Sequence, residues 1–142
     1  MKLSKNVQYY GKDESLPEQI DLKAGPLNLF YEAGDLRYIK YGDKEIIRRI
    51  YVAVRDRNWD TVKPVLSNVK MDIKDDSFII TYTVNNIQSD IDFCWQGKII
   101  GKANGTITFS MDGEALSTFW RNRIGFCILH PMEYASTECK IE

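Results

Sequence analysis

Residues 105–131, GTITFSMDGEALSTFWRNRIGFCILHP, are the stretch that decides the fold class of this chain. From residue 106 to 111 polar and apolar side chains alternate, as a half-buried strand requires. We expect a turn at Asp112-Gly113 and then a second strand, over residues 121–129, with the same period of two. The stretch therefore predicts two strands joined by a turn and a short link.

From residue 20 onward, similar alternating segments recur between turn-forming residues. One hairpin is expected where strands 27–32 and 36–41 flank a turn, and another where strands 69–74 and 78–84 do so. Alternation of this kind, repeated along a chain, is typical of antiparallel sheets packed face to face. About nine or ten strands and no helix are expected, which predicts an all-β antiparallel β-sandwich.

The chain is expected to divide into a polar N-terminal arm, residues 1–19, and a sandwich domain, residues 20–142. Residues 45–59 carry a continuous apolar run at 50–54, which predicts a central strand buried on both faces at its middle. Asn104-Gly105 is the strongest two-residue hairpin signal in the chain. The predicted core consists of Ile50, Val52, Val54, Phe78, Ile80, Phe93, Trp95, Ile107, Phe109, Ile124 and Phe126.

The charge balance limits the classes of partner. With 19 basic and 20 acidic residues, the chain lacks the basic excess that binding to nucleic-acid phosphates requires, so neither DNA nor RNA is expected. Three cysteines without metal-ligand spacing predict neither a disulfide framework nor a metal site, and no cofactor is expected. No apolar stretch is long enough for a signal peptide or a membrane span. These features predict a cytoplasmic protein with no membrane partner.

Two segments combine arginine with tryptophan, namely Arg55-Asp56-Arg57-Asn58-Trp59 and Trp120-Arg121-Asn122-Arg123. One interpretation is structural, with the four guanidiniums balanced by acidic side chains of the same chain. The candidates for that balance are Asp56, Asp92, Asp112 and Glu114. In that case Arg123→Ala should lower the stability of the domain, because an acidic partner would lose its counter-charge.

The second interpretation is a ligand-binding or interdomain face. Aromatic rings can stack against the C–H face of a sugar, and guanidiniums offer paired donors to hydroxyls or carboxylates. This face would consist of Arg55, Arg57, Trp59, Arg121 and Arg123. The residue pattern alone leaves both interpretations open.

The candidate catalytic residues are His130, Asp56 and Asp112. His130 is the single histidine and continues an apolar strand face, which also suits a structural group. Asp112 also suits a turn, and Asp56 also suits an ion pair with its flanking arginines. Because the sequence contains no nucleophile elbow, phosphate-binding loop or zinc motif, it does not pair these residues into a known catalytic arrangement.

At these same residues the chain resembles the N-terminal region of bacterial D-apionate lactonases. The resemblance extends over approximately residues 22–131 and is carried by four blocks: GDLRYIKYG (34–42), RRIYVAVRDRNW (48–59), DIDFCWQGKI (90–99) and DGEALSTFWRNRIGFCILHP (112–131). The region is also similar to galactose-mutarotase-like domains. That similarity implies a mutarotase-like super-sandwich, or a part of one.

The resemblance implies a multidomain enzyme in which this β-domain precedes a TIM barrel and a further domain, and which hydrolyses the lactone of apionate. Since this chain has no barrel, it implies a non-catalytic module, whose partners are the barrel of the same polypeptide and a sugar acid or sugar lactone. The chain is then expected to be truncated at its C-terminus, where CKIE (139–142) begins another strand, and to form homo-oligomers through an exposed edge. The alternative is a stand-alone carbohydrate-binding or mutarotase-like domain, with His130 and either Asp56 or Asp112 as acid and base.

Overall fold

The structure, a computed structural model, describes residues 3–140 and contains two antiparallel sheets. Its elements in chain order are α1 (Lys5–Tyr10), β1 (Gln19–Ala24), β2 (Leu27–Glu32), β3 (Asp35–Tyr41), β4 (Lys44–Asp56), β5 (Pro64–Ile73), β6 (Phe78–Gln88), β7 (Ile91–Gly101), β8 (Ile107–Ala115), β9 (Arg121–Leu129) and a 3₁₀ turn (Met132–Tyr134). Sheet A has the strand order β1-β2-β3-β4-β9 and sheet B the order β5-β6-β7-β8. The all-β sandwich is therefore confirmed.

Both expected hairpins form, as β2–β3 and β5–β6, and the turn containing Asn104 and Gly105 joins β7 to β8. The expectation that the chain contains no helix was wrong, because α1 lies within the N-terminal arm. Ser4 caps its start by accepting a hydrogen bond from the Val7 amide, and Gly11 ends it at a φ of 75°. A six-residue helix with no buried side chain has no apolar period, so only its capping residues were visible in the sequence.

The turn expected at Asp112-Gly113 does not exist, because both residues lie inside β8. Gly113 is opposite Trp95 on β7, and a Cβ atom at this position would lie 2.4 Å from the ring of Phe93. The glycine therefore makes room for an aromatic ring and does not reverse the chain. As a result, Asp112 projects from the exposed face of β8 and shapes no turn.

The two strands of the 105–131 stretch belong to different sheets: β8 is an edge strand of sheet B, and β9 is an edge strand of sheet A. Their inner faces meet across the sandwich, where the rings of Phe109 and Phe126 are 5.0 Å apart in an edge-to-face arrangement. This stretch therefore forms one side of the sandwich. The most deeply buried part of the core lies instead under β6 and β7, together with strands β1–β3.

Aromatic rings lie over glycines at the centre of sheet B. Tyr82 and Phe78 on β6 are paired with Gly97 and Gly101 on β7, and each ring occupies the space that a glycine Cβ would need. A Cβ on Gly101 would lie 2.2 Å from the Phe78 ring. The same spacing of four residues on both strands thus places each ring against a glycine, which has no side chain to exclude it.

The core predicted from sequence is confirmed in its central part. The buried members are Val54, Phe78, Ile80, Phe93 and Trp95. The remaining predicted members are only half-buried, and they lie on β4 and on the edge strands β8 and β9. Residues missed as core members include Leu22, Ala24, Leu29, Tyr31, Leu36, Ile39, Val62, Tyr82, Val84, Ile91 and Ile99.

Strand β4 lies between β3 and β9 and is interior to sheet A, as predicted. Burial on both faces is limited to the neighbouring residues Ala53 and Val54. The side chains before them on β4 are half-buried or exposed, although Ile46, Ile47, Ile50 and Val52 pack against the edge of the core.

Two buried polar groups link the elements of the core. The hydroxyl of Tyr82 donates a hydrogen bond of 2.7 Å to the carbonyl oxygen of Gly34, in the turn between β2 and β3. Asn86 is only 2% exposed; its amide donates to the carbonyl of Val62 and accepts from the indole N–H of Trp95, both at 3.0 Å. Burial raises the pKa of Tyr82, so its hydroxyl remains a neutral donor. Each polar group is thus satisfied as a buried group must be.

Candidate functional site

The structure brings the two arginine segments together at one end of the β4–β9 pair. Arg55 is directly opposite Arg123, and Asp56 is opposite Arg121. The register slips by one residue between these pairs, which leaves Asn122 as an extra residue on β9. Two guanidiniums therefore emerge side by side from one face of sheet A, next to the loop that carries Arg57 and Trp59.

The acidic side chains expected to balance these arginines do not do so. Arg123 donates to the carbonyl oxygen of Phe126 at 3.0 Å and Arg55 to that of Trp59 at 3.3 Å. Within residues 3–140, none of the four arginines forms an ion pair with Asp56, Asp92, Asp112 or Glu114. The reason is topological for the last two, since Asp112 and Glu114 lie on β8 of the other sheet.

The ion pairs that tie sheet A together involve other residues. The guanidinium of Arg49 contacts the carboxylate of Asp35 at 2.6 Å and lies 4.0 Å from the centre of the Tyr51 ring. The neighbouring Arg37, opposite Arg49, approaches Glu32 to 2.8 Å without hydrogen-bond alignment. Burial raises the pKa of Asp35, an effect that the nearby Arg49 charge only partly offsets.

Alanine substitutions of Arg49 and Arg123 should distinguish an arginine that stabilises the sheet from one that does not. Arg49→Ala is expected to lower the free energy of unfolding by about 1–3 kcal/mol, because it leaves the half-buried Asp35 carboxylate without its partner. Arg123→Ala, the matched control on the exposed face, should change it by less than about 0.5 kcal/mol. Urea unfolding of both variants measures the difference. Equal losses would show that the exposed arginines also hold the sheet.

Asp56 organises a loop. One carboxylate oxygen accepts hydrogen bonds from the amides of Asn58 at 2.8 Å and Asp60 at 3.0 Å, and the other accepts from the Gln88 side chain at 3.3 Å. This is the local side-chain-to-backbone pattern by which aspartate shapes turns. Three donors thus engage the Asp56 carboxylate in holding the loop.

The loop presents Trp59 to solvent in a backbone conformation that side chains other than glycine rarely adopt. Its φ is 72°, and 60% of the residue is exposed. A large ring held outward by a strained backbone contributes little to the core. The exposure of Trp59 is therefore set by the conformation of this loop and not by packing in the core.

His130 lies at the opposite end of β9 from this loop. It follows Leu129, whereas Asp56 is opposite Arg121, so the two are separated by the length of β9, roughly 25 Å at about 3.3 Å per residue. Asp112 lies on the exposed face of sheet B. The structure therefore does not bring His130 together with either carboxylate, and the acid–base pair considered from the sequence does not form.

No other constellation for metal binding or membrane insertion is visible in the described part of the chain. Between residues 3 and 140, no three histidine, cysteine, aspartate or glutamate side chains gather as a metal site would require. Over the same range, no helix has the length and apolar character needed to cross a membrane. The expectation that CKIE begins a strand falls partly outside the described residues, and Cys139 and Lys140 are not in a strand.

Comparison with known proteins identifies related sequences. The family model for the D-apionate lactonase N-terminal domain matches residues 7–142. A D-apionate lactonase from Brucella anthropi is 38% identical over 128 residues, which cover 87% of this chain but 20% of the relative. The chain thus spans about a fifth of the length of that relative. No solved structure matches the chain.

Proposed function

Because the chain belongs to the D-apionate lactonase family as its N-terminal domain, we propose that it is a non-catalytic module against which the rest of a longer polypeptide packs. The separation of His130 from the carboxylates and the structural use of Asp56 support a non-catalytic role. Lactone hydrolysis would then belong to the whole polypeptide, in the cytoplasm. The stand-alone mutarotase-like alternative would require the acid–base pair that the geometry separates.

The observation that carries this proposal is an apolar surface where the described chain leaves the sandwich. We call it the exit surface and define it by Ile46, Ile128 and Met132. Ile128 is 53% exposed and Met132 86% exposed, although both are apolar. Exposed apolar groups gathered in one place are typical of surfaces that another protein segment covers.

The last described residues form a groove beside this surface. The hydroxyl of Tyr134 donates to the carbonyl oxygen of Glu45 at 3.0 Å, and Lys44 lies over the Tyr134 ring at 5.4 Å. These contacts hold the tail against the start of β4 and enclose a groove of about 500 Å³ that includes Ile46, His130 and Cys139. The tail thus leads the chain away at the exit surface.

The edge of β9 adds a second binding element. Among the described residues, no strand pairs with its outer side, so backbone N–H and C=O groups along that side are available for an added strand or loop. We propose that the segments following this domain, a barrel in the family to which it belongs, occupy the edge and the exit surface. A second copy of the domain is the competing occupant, because an open edge also permits self-pairing.

Hydrogen exchange can test this docking. We design a chimera in which this chain replaces the matched fifth of the Brucella anthropi relative, and compare it with the isolated domain. Residues 124–132 are expected to exchange at least about tenfold more slowly in the chimera, because docking covers their amides. Ile128→Asp combined with Met132→Asp should remove that protection. The control Ile79→Asp, an exposed apolar residue on sheet B, should not.

Equal exchange in the chimera and the isolated domain would contradict the proposal. Protection that instead grows with the concentration of the isolated domain would identify a second copy as the occupant.

A further inference from the structure

A small concavity opens at the end of the sandwich opposite the exit surface. It has a volume of about 120 Å³, and its lining includes Asp56, Arg57, Asn58, Gln88, Asp90 and Trp120. These residues come from the end of β4 and the loop after it, from the end of β6 and the turn before β7, and from the link before β9. Three segments distant in sequence thus supply one site, which no single motif could have revealed.

Trp120 is the feature that distinguishes this concavity. The residue is 76% exposed, so its ring takes little part in the core. An exposed indole beside a recess offers a flat apolar surface for a ring-shaped ligand. Trp59 is exposed on the same loop as Arg57 and Asn58 but does not line the recess, and it therefore serves as a matched control below.

The polar groups of the recess are held by a fixed frame. Asp56 braces its loop through the three hydrogen bonds described above. From the link before β9, the hydroxyl of Ser117 holds the turn between β6 and β7: it donates to the carbonyl oxygen of Asp90 at 2.7 Å and accepts from the Asp92 amide at 3.0 Å. A frame fixed before binding reduces the ordering cost that a ligand must overcome.

The side chains that could bind a ligand have no partner of their own. Within residues 3–140, the structure gives no hydrogen bond or ion pair to the side chains of Arg57, Asn58 or Asp90. Together they offer guanidinium donors, an amide with both functions and a carboxylate acceptor. Hydroxyl groups, which donate and accept at once, match this set.

We propose that the recess is a binding site for a single neutral sugar ring, with its C–H face stacked on Trp120 and its hydroxyls bound by Arg57, Asn58 and Asp90. The lining carries two carboxylates, Asp56 and Asp90, against one guanidinium, so its charge disfavours an anionic ligand. A free sugar or a sugar lactone therefore fits better than the corresponding sugar acid. The site is independent of docking at the exit surface, which lies at the other end of β9.

Titration of the 142-residue chain, followed by NMR amide shifts, tests this proposal. The probes are D-xylose and D-ribono-1,4-lactone, with D-ribonate as the anionic counterpart. Saturable shifts are expected in the loops that contain Asn58 and Asp90, with affinities near the millimolar range. Trp120→Ala should weaken binding of the neutral probes by about tenfold through loss of stacking. Asn58→Ala should also weaken it, and the control Trp59→Ala should leave it unchanged.

Other outcomes of this titration would overturn the sugar site or its preference for neutral ligands. Absence of saturable shifts at tens of millimolar probe would exclude a sugar site, as would binding that Trp120→Ala does not weaken. Tighter binding of D-ribonate than of its lactone would overturn the preference for neutral ligands. If no sugar binds, and Trp120→Ala instead reduces hydrogen-exchange protection in the chimera, Trp120 belongs to a second protein contact. If sugar binds but the chimera shows no exchange protection at residues 124–132, only the docking proposal for the exit surface is refuted.

Discussion

Replacing Gly101 with alanine is expected to destabilise the domain by about 3 kcal/mol or more, at the upper end of what overpacking costs in a protein core. The added Cβ would lie 2.2 Å from the Phe78 ring, which is itself buried. The ring cannot move away, because it fills the space between the sheets. Gly97→Ala should act similarly through the Tyr82 ring, and the double variant should approach the whole stability of a typical domain, about 5–15 kcal/mol.

Urea unfolding measures this loss, and two variants establish its cause. Lys98→Ala, on the exposed face of the same strand, should change stability by less than about 0.5 kcal/mol. Phe78→Leu in the Gly101→Ala background should recover part of the loss, because a smaller side chain leaves room for the methyl group. If Gly101→Ala proves as mild as Lys98→Ala, the close contact between ring and glycine is wrong.

Asn86→Leu is the second substitution with a large expected effect. Leucine has a similar size but cannot form hydrogen bonds, so the Trp95 indole N–H and the Val62 carbonyl would both lose a buried partner. At about 1–3 kcal/mol for each unsatisfied group, the expected total is about 2–5 kcal/mol. Thermal and urea unfolding measure it, with Trp95 fluorescence as a local probe.

Asn85→Leu provides the matched control for this substitution. Asn85 is the neighbouring residue on β6 and faces the other side of the sheet, where the same change should have little effect on stability. Similar losses at the two positions would contradict the account, because the side chain of Asn86 is hydrogen-bonded to Trp95 and Val62 and that of Asn85 is not.

Alternating periodicity was sufficient to predict the fold class. Strands such as β2, β3 and β6 have one clearly apolar face, so period and turn residues locate them together. Periodicity does not report which strands share a sheet, so the sequence did not show that β8 and β9 lie in different layers. Gly113 shows a related limit, since a glycine that accommodates a ring and a glycine that turns the chain look alike in sequence.

The candidate site was predictable in composition but not in geometry. Sequence analysis identified Arg55 and Arg123 as members of one face, and the register places them opposite each other. One of its two interpretations gave them acidic partners with which they form no ion pair, and Asp112 and Glu114 among these lie on the other sheet. It did not single out the pair of Arg49 and Asp35. Such pairing depends on the register between strands, which a single sequence does not specify. The recess at Trp120 also required the turn at residues 88–90, about thirty positions away along the chain.

The most direct test of a non-catalytic module is a comparison of lactone hydrolysis by the isolated chain and by the chimera. We expect the isolated chain to hydrolyse the lactone of D-apionate no faster than buffer does, because the structure brings His130 together with neither Asp56 nor Asp112. The chimera should hydrolyse it at a measurable rate. Hydrolysis by the isolated chain above the buffer rate, abolished by His130→Ala, would contradict the account.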